Sequence, residues 1–398
     1  MKFIQNIFDA TRPAVTTGKL KPLYPLHNAL ETMMFVPNHN AHSGAHVRDA
    51  IDLKRTMVTV IFALVPALIF GIFNGGYQHY KAIGELANAS GWAQFFTLDN
   101  FLFGAWKIVP MIAVTYMAGL GVEIYFAGRN RHPVNEGFLV SGLLIPMTMP
   151  IDMPLWMVAI STIFAVLIGK EVFGGTGMNL LNPALTARAF AFFAYPAYMS
   201  GDKVWINTTV EAGQSVVDGF SGATALGQYA TTGTTSFGVW DAFLGLIPGS
   251  IGETSTILIL LGGVYLIATG IGSWKIMAGS LLGAIVMGLL FNWAAPHMVT
   301  EAQQNFLSIP FYYHLVFGSW AFATVFMATD PVSAAHTERG KWIYGFLVGF
   351  LGILIRVFNP AYPEGMMLAI LFMNVMAPLI DHYVVNANIQ KRLKRAKA

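Results

Sequence analysis

The run TMVTVIFALVPALIFGIF, Thr56–Phe73, decides the class of this chain. Its eighteen residues carry no charge, close to the ~20 an α-helix needs to cross a hydrocarbon core of roughly 30 Å. Runs of the same kind follow at 108–127, 137–151, 154–170, 184–198, 255–272, 276–293, 314–329, 342–358 and 366–385. Several are short, and Pro150, Pro183, Pro196 and Pro360 interrupt or bound them. Broken helices persist at membrane depth only where protein or a water-filled cavity covers the freed backbone groups. The pattern predicts an all-α polytopic membrane protein of about ten transmembrane helices, some of them broken or half helices.

Composition points the same way. The chain has 398 residues, 55% hydrophobic and 11% charged, with a mean hydropathy of +0.57. Soluble domains carry roughly 25% charged residues. A net charge of +3 over this length makes no phosphate-binding surface, so nucleic acid is excluded as a partner. Cys is absent, which excludes disulfides, thiolate metal sites and Cys-ligated iron–sulfur clusters within this polypeptide. Redox work here would need an organic cofactor.

Charge sets the orientation. With ten spans, the loops on one side are 1–55, 128–136, 170–183, 273–275, 330–341 and 386–398, and they hold 18 of the 23 Lys and Arg. The other side has only Lys81, Lys107 and Lys203, while Arg188 and Arg356 lie inside spans. The positive-inside rule then puts both termini in the cytoplasm. Residues 1–55 are polar and basic, with no cleavable signal peptide.

Ten spans divide into two sets of five, so the second set starts on the opposite side. Asn182-Pro183-Ala184 opens the fifth span and Asn359-Pro360-Ala361 the tenth. The expected organisation is a cytoplasmic segment 1–55, a first five-helix repeat 56–198 and an outer loop with a re-entrant piece at 199–254. An inverted second repeat 255–385 and a basic tail 386–398 complete it. Inverted repeats place their pathway at the repeat interface near the midplane.

The longest polar interruption after the N-terminus is 199–240, rich in Gly, Ser and Thr. Within it stands Asp218-Gly219-Phe220-Ser221-Gly222-Ala223-Thr224. This matches the D-x-x-[S/T]-G-A-T signature by which a flavin transferase attaches FMN to threonine through a phosphoester. Thr224 offers the acceptor hydroxyl, Gly222 and Ala223 leave room around it, and Asp218 could order the turn or a metal during transfer.

Longer matches accompany this box. They include His46-Val47-Arg48-Asp49, Val134-Asn135-Glu136-Gly137-Phe138, Lys170-Glu171-Val172-Phe173-Gly174-Gly175-Thr176-Gly177 and Pro248-Gly249-Ser250-Ile251-Gly252-Glu253. Further along stand Met327-Ala328-Thr329-Asp330-Pro331-Val332-Ser333 and Asn359-Pro360-Ala361-Tyr362-Pro363-Glu364-Gly365. With them the chain, from about Arg48 to Ala398, resembles the B-subunit family of the Na⁺-translocating NADH:quinone oxidoreductase, a six-subunit complex of the bacterial inner membrane. The resemblance implies covalent FMN on Thr224, a non-covalent riboflavin, ubiquinone as substrate and Na⁺ as the transported ion. It implies partner subunits that carry FAD, iron–sulfur centres and a second covalent FMN. The flavins supply the electron chemistry, and the protein supplies binding, orientation and electrostatics.

Ionisable groups in spans are expensive and are functional candidates. Glu123 lies near the cytoplasmic end of the second span, and Asp330 and Asp381 lie at the cytoplasmic ends of the eighth and tenth. The resemblance favours them as ion or proton path residues, and it places Gly119, with Glu123, in the quinone region. The loop Gly174–Pro183 offers Asn179 and Asn182 as riboflavin candidates, or it is a plain helix-capping turn. Arg188 and Arg356 would pair with phosphate, flavin or a carboxylate. His39, His42 and His46 either share a helix face able to bind metal or lie in a solvated segment.

Two other functions remain open to the sequence. The paired Asn-Pro-Ala triplets suit a channel or solute transporter, which has no use for the Ser-Gly-Ala-Thr box. The related ferredoxin:NAD⁺ oxidoreductase complex has an equivalent subunit without a ubiquinone step, against which the long basic N-terminus weighs.

Overall fold

The computed structural model describes residues 2–18, 20–21, 24, 27–28, 31, 35, 53–86, 92–130, 137–202, 204–208, 222–297, 305–359 and 365–397. Among the described residues there is no β-strand. An amphipathic helix, α1 (Lys2–Thr16), precedes the bundle. The first half contains α2 (Leu53–Ala82), α3 (Leu98–Asn130), α4 (Phe138–Met147), α5 (Leu155–Gly169) and α6 (Pro183–Ala194). A short α7 (Ala225–Thr232) follows. The second half contains α8 (Thr256–Ala268), α9 (Trp274–Ala294), the turn α10 (Trp320–Phe322), α11 (Glu338–Phe358) and α12 (Gly365–Lys397).

All ten apolar runs are therefore helical. Among the described residues six helices are long and apolar enough to cross a membrane, and α4, α6 and α8 are shorter apolar helices. The chain is an all-α polytopic membrane protein with half-length pieces. The eighth run, 314–329, is not one span: a turn at Tyr313–Val316 and α10 lead into a π-helical turn, Ala323–Met327. Gly318 breaks it with φ +73°, and an added Cβ there would meet Leu226 Cδ1 at 3.0 Å.

The broken backbone needs partners, because an unpaired buried carbonyl costs as much as a lost hydrogen bond. Arg356, fully buried on α11, donates through Nη1 to the carbonyls of His314 at 2.9 Å and Phe317 at 3.1 Å. The sequence suggests phosphate, flavin or a carboxylate as its partner; in the fold it braces the break.

The two halves share a packing plan. In the first, α2 packs on α3 and α4, α3 on α4 and α5, and α6 on α4 and α5. In the second half α8 packs on α10, α9 on α11 and α11 on α12, matching three of these pairings, and α9 and α12 both meet the π-turn that continues α10. Across the halves, first helix meets first (α2 with α8) and last meets last (α6 with α12). That is the contact pattern a pseudo-two-fold axis generates. At the α9–α11 crossing the backbones touch: a Cβ on Gly349 would lie 1.9 Å from the Ser280 carbonyl oxygen, and one on Gly283 would lie 2.0 Å from that of Phe346. Small residues allow this approach, which replaces the hydrophobic driving force that lipid removes.

Candidate functional site

Two cavities lie at opposite ends of the bundle. The first is lined by the opening turns of α2 (Thr56, Val60) and α4 (Ser141), the loop after α5, and the residues that follow the π-turn. The second is lined by Ile247 and Thr254 ahead of α8, and by Gly318 and Ser319 ahead of α10. Asn74 of α2 donates to the Ile247 carbonyl at 3.0 Å. Thr56 and Asn74 stand about 27 Å apart along α2 at 1.5 Å per residue, near the thickness of a hydrocarbon core. Each cavity thus opens where helices one and three of one half begin, at opposite ends.

The first cavity collects polar groups from several elements: Lys170, Thr176, Asn179, Asn182 and Asp330 all line it. The loop that supplies four of them folds back on itself. The Lys170 carbonyl, just past α5, accepts from Phe173 N at 3.2 Å and Gly175 N at 3.1 Å. Gly174 (φ +112°) and Gly177 (φ +91°) take left-handed conformations that side-chain-bearing residues rarely adopt. Asn182 then caps α6, its Oδ1 accepting from Ala184 N at 2.9 Å and Leu185 N at 3.3 Å, with Pro183 in the first turn. This is the favoured chemistry of a helix start. Asn182 is therefore a helix cap and a cavity wall at once. The Asn179 amide donates to the Leu181 carbonyl at 3.0 Å. Thr176 Oγ1 is buried with no hydrogen-bond partner, a group that a polar ligand in this cavity would satisfy.

Three sequence candidates, Asn179, Asn182 and Asp330, therefore meet in one cavity. Asp330 accepts from Ser333 Oγ at 2.6 Å and Val332 N at 3.3 Å. Glu123 joins them indirectly: buried on α3, it pairs with Lys170. Gly119 lies under the Phe138 ring, where a Cβ would meet Cζ at 1.9 Å. Asp381 stands apart on α12, accepting from His336 N at 2.7 Å, Thr337 N at 3.0 Å and Thr337 Oγ1 at 2.5 Å. It fastens the start of α11. Sequence reasoning reached Lys170 and Thr176 only as parts of a matching run and gave neither a role. The partner of Lys170 lies 47 positions away, beyond any local pattern.

Thr224 lines the second cavity, with Arg188, Trp205 and Glu253. Gly222 takes φ +65°, which turns the chain into α7. Thr224 is the N-cap of α7, its Oγ1 accepting from Gly227 N at 3.2 Å. The Ala223 carbonyl accepts from Gln228 Nε2 at 3.4 Å. Arg188, buried on α6, lies 5.6 Å from the centre of the Trp205 ring. Glu253 Oε1 accepts from Ser250 N at 3.0 Å. Asp218, Ser221, His39, His42 and His46 lie outside the described residues.

Residues 40–390 match the NQR2, RnfD, RnfE family. The chain belongs to that family. It is 46% identical to the B subunit of the Na(+)-translocating NADH-quinone reductase of Chromohalobacter salexigens, covering 99% of this chain and 97% of the relative. The relative of the same name from Ectopseudomonas mendocina is 48% identical over 95% of each chain. The one from Yersinia pestis is 45% identical over 96% of each.

Proposed function

We propose that this chain is the B subunit of a Na⁺-translocating NADH:quinone reductase, with a flavin on Thr224 and a second, non-covalent flavin in the Asn182 cavity. The observation that carries the proposal is the position of Thr224 Oγ1, at the N-cap of α7 in a cavity that also holds Arg188. A phosphoryl group on that oxygen would meet backbone N–H groups and the positive end of the helix dipole, the favourable setting for an anion, and Arg188 adds a cation. The Asn182 cavity suits a hydrogen-bonding ligand: it has amide groups and the Thr176 hydroxyl, which has no partner within the protein. Bound flavins supply the electron-transfer chemistry, which ends at ubiquinone.

In this proposal the membrane is the bacterial inner membrane, both termini are cytoplasmic, and the Asn182 cavity faces the cytoplasm. The halves 56–198 and 255–385 are inverted repeats, flanked by the segments 1–55, 199–254 and 386–398. Glu123, Asp330 and Asp381 serve the ion path, and Gly119 and Glu123 border the quinone. The partners carry FAD, iron–sulfur centres and a second covalent FMN, and a flavin transferase loads Thr224.

The deciding experiment isolates the chain from a host that has the transferase, runs it on a denaturing gel, and weighs the peptide that holds Thr224. The expected result is a fluorescent band with the mass of FMN less water on Thr224, lost in Thr224→Ala. A dark band despite a competent transferase overturns the proposal. Na⁺-stimulated ubiquinone reduction by the assembled complex then separates it from the ferredoxin-linked relative.

A further inference from the structure

Three consecutive hydroxyls stand at the start of α8, and none has a hydrogen-bond partner among the described residues: Thr254 Oγ1, Ser255 Oγ and Thr256 Oγ1. Their residues are 2%, 2% and 5% exposed. A buried polar group without a partner is uncommon and calls for an explanation such as a ligand. Helix capping does not supply one. Ser255 is the N-cap of α8 but makes no side-chain cap bond, whereas Thr224 and Thr337 cap α7 and α11 through their hydroxyls. Of the three, Thr254 lines the Thr224 cavity, next to Glu253, and Ser255 and Thr256 do not.

This wall differs in chemistry from the rest of the cavity. Thr224 sits at a helix start with Arg188 in the same cavity, a setting for an anion. Glu253 is a carboxylate, which would repel a second anion laid against it. An alcohol suits the wall instead, because it donates to a carboxylate and bonds a hydroxyl in either sense. Glu253 Oε1 accepts from Ser250 N at 3.0 Å, and that one bond does not exhaust the lone pairs of a carboxylate. In FMN a chain of alcohol groups joins the phosphoryl to the ring, so a phosphoryl on Thr224 brings alcohols into this cavity.

We propose that Thr254, beside Glu253, binds the alcohol chain of the group that Thr224 carries. The phosphoester fixes one end of that group and the start of α8 fixes its middle, so the flavin does not swing freely about the ester. This inference rests on the flavin of the proposed function being attached to Thr224.

The test uses the assembled complex, with Thr224→Ala as the complex that lacks only this flavin. Loading is weighed on the Thr224 peptide, and hydrogen exchange is followed by mass spectrometry on the peptide spanning residues 248–258. Local opening at the start of α8 governs that exchange. A bond to the chain must break before this segment opens, so loading slows wild-type exchange about tenfold relative to Thr224→Ala, as one hydrogen bond at the upper end of the usual range allows. Thr254→Val keeps the shape and removes nothing bonded within the described protein, so it folds, and the slowing is lost. Thr254→Ser recovers it. Ser255→Ala, which removes an unbonded hydroxyl outside the cavity, keeps it. Loss of loading in Thr254→Val but not in Thr254→Ser also upholds the inference, since the hydroxyl is then needed to seat the group; loss of loading in both overturns it. An undiminished slowing in Thr254→Val overturns it as well, whatever that substitution does to exchange in the Thr224→Ala complex. Absence of the FMN mass from wild-type Thr224 overturns the reading of Thr224 instead.

Discussion

The third helix of each half ends on a similar pattern, Thr148-Met149-Pro150 after α4 and Thr329-Asp330-Pro331 after the π-turn. In the first half the central residue is Met149, fully buried in the apolar core. In the second it is Asp330, on the wall of a polar cavity. The helices differ as well: α4 is regular, whereas α10 passes into a π-turn, a distortion often found at functional sites. Two halves with similar helix pairings supply comparable corners, and local changes in side chain and winding decide which corner carries polar chemistry. The two cavities differ in the same way. One offers amides and an ion pair, suited to reversible binding, and the other a capping hydroxyl beside an arginine, suited to a fixed anion.

The scaffold side of this comparison fails first, and most severely, at the α9–α11 crossing. Gly349→Leu forces a side chain into the Ser280 backbone, where even a Cβ would lie 1.9 Å from oxygen. Relief requires the helices to separate, and overpacking of this kind exceeds the 1–3 kcal/mol of an ordinary core insertion. The expected outcome is no assembled complex on size exclusion. The control lies in the other half: a Cβ on Gly121 meets nothing within 4 Å, so Gly121→Leu shifts stability by no more than about 0.5 kcal/mol. Normal assembly of Gly349→Leu would remove backbone contact as the basis of that crossing.

The cavities themselves separate in a crossed experiment. Asn182→Ala removes the cap of α6, worth about 1 kcal/mol, and a wall of the first cavity. Non-covalent flavin is expected to fall more than tenfold, with the Thr224-linked flavin unchanged. Arg188→Met should do the reverse: covalent loading falls severalfold, and non-covalent flavin stays near the wild-type level. Flavin extraction with and without denaturation reads both. Parallel losses in both variants would mean that the cavities are not independent sites.

Much of this was legible because hydropathy is a local signal. All ten apolar runs are helical, and Asn182-Pro183 reads as a helix start because the capping amide and the proline adjoin in sequence. The break in the eighth run was less visible. Its apolar composition reads straight through, and only Gly318-Ser319 hints at a turn, while the group that stabilises it, Arg356, lies 39 positions beyond Phe317. The Glu123–Lys170 pair was hidden for the same reason, since ion pairs form across the fold and not along the chain. Asp381 was hidden in the same way: its carboxylate accepts from the backbone before α11, more than forty positions back along the chain.

The smallest expected effect gives the sharpest contrast, because its sign depends on whether the cavity is filled. Thr176 Oγ1 is buried without a partner, and a buried polar atom left unsatisfied costs roughly 1–3 kcal/mol. Thr176→Val keeps the shape and removes that atom. In flavin-depleted complex the variant should melt at or above the wild-type temperature, since nothing it loses was bonded. In loaded complex it should hold non-covalent flavin about tenfold more weakly, the ~1.4 kcal/mol of a hydrogen bond at the upper end of the usual 0.5–1.5 kcal/mol. Thr186 supplies the comparison: its Oγ1 already donates to the Asn182 carbonyl at 2.9 Å, so Thr186→Val has the same effect in loaded and depleted complex. If Thr176→Val lowers the melting temperature equally in both states, the hydroxyl has a partner within the protein and is not held for a ligand.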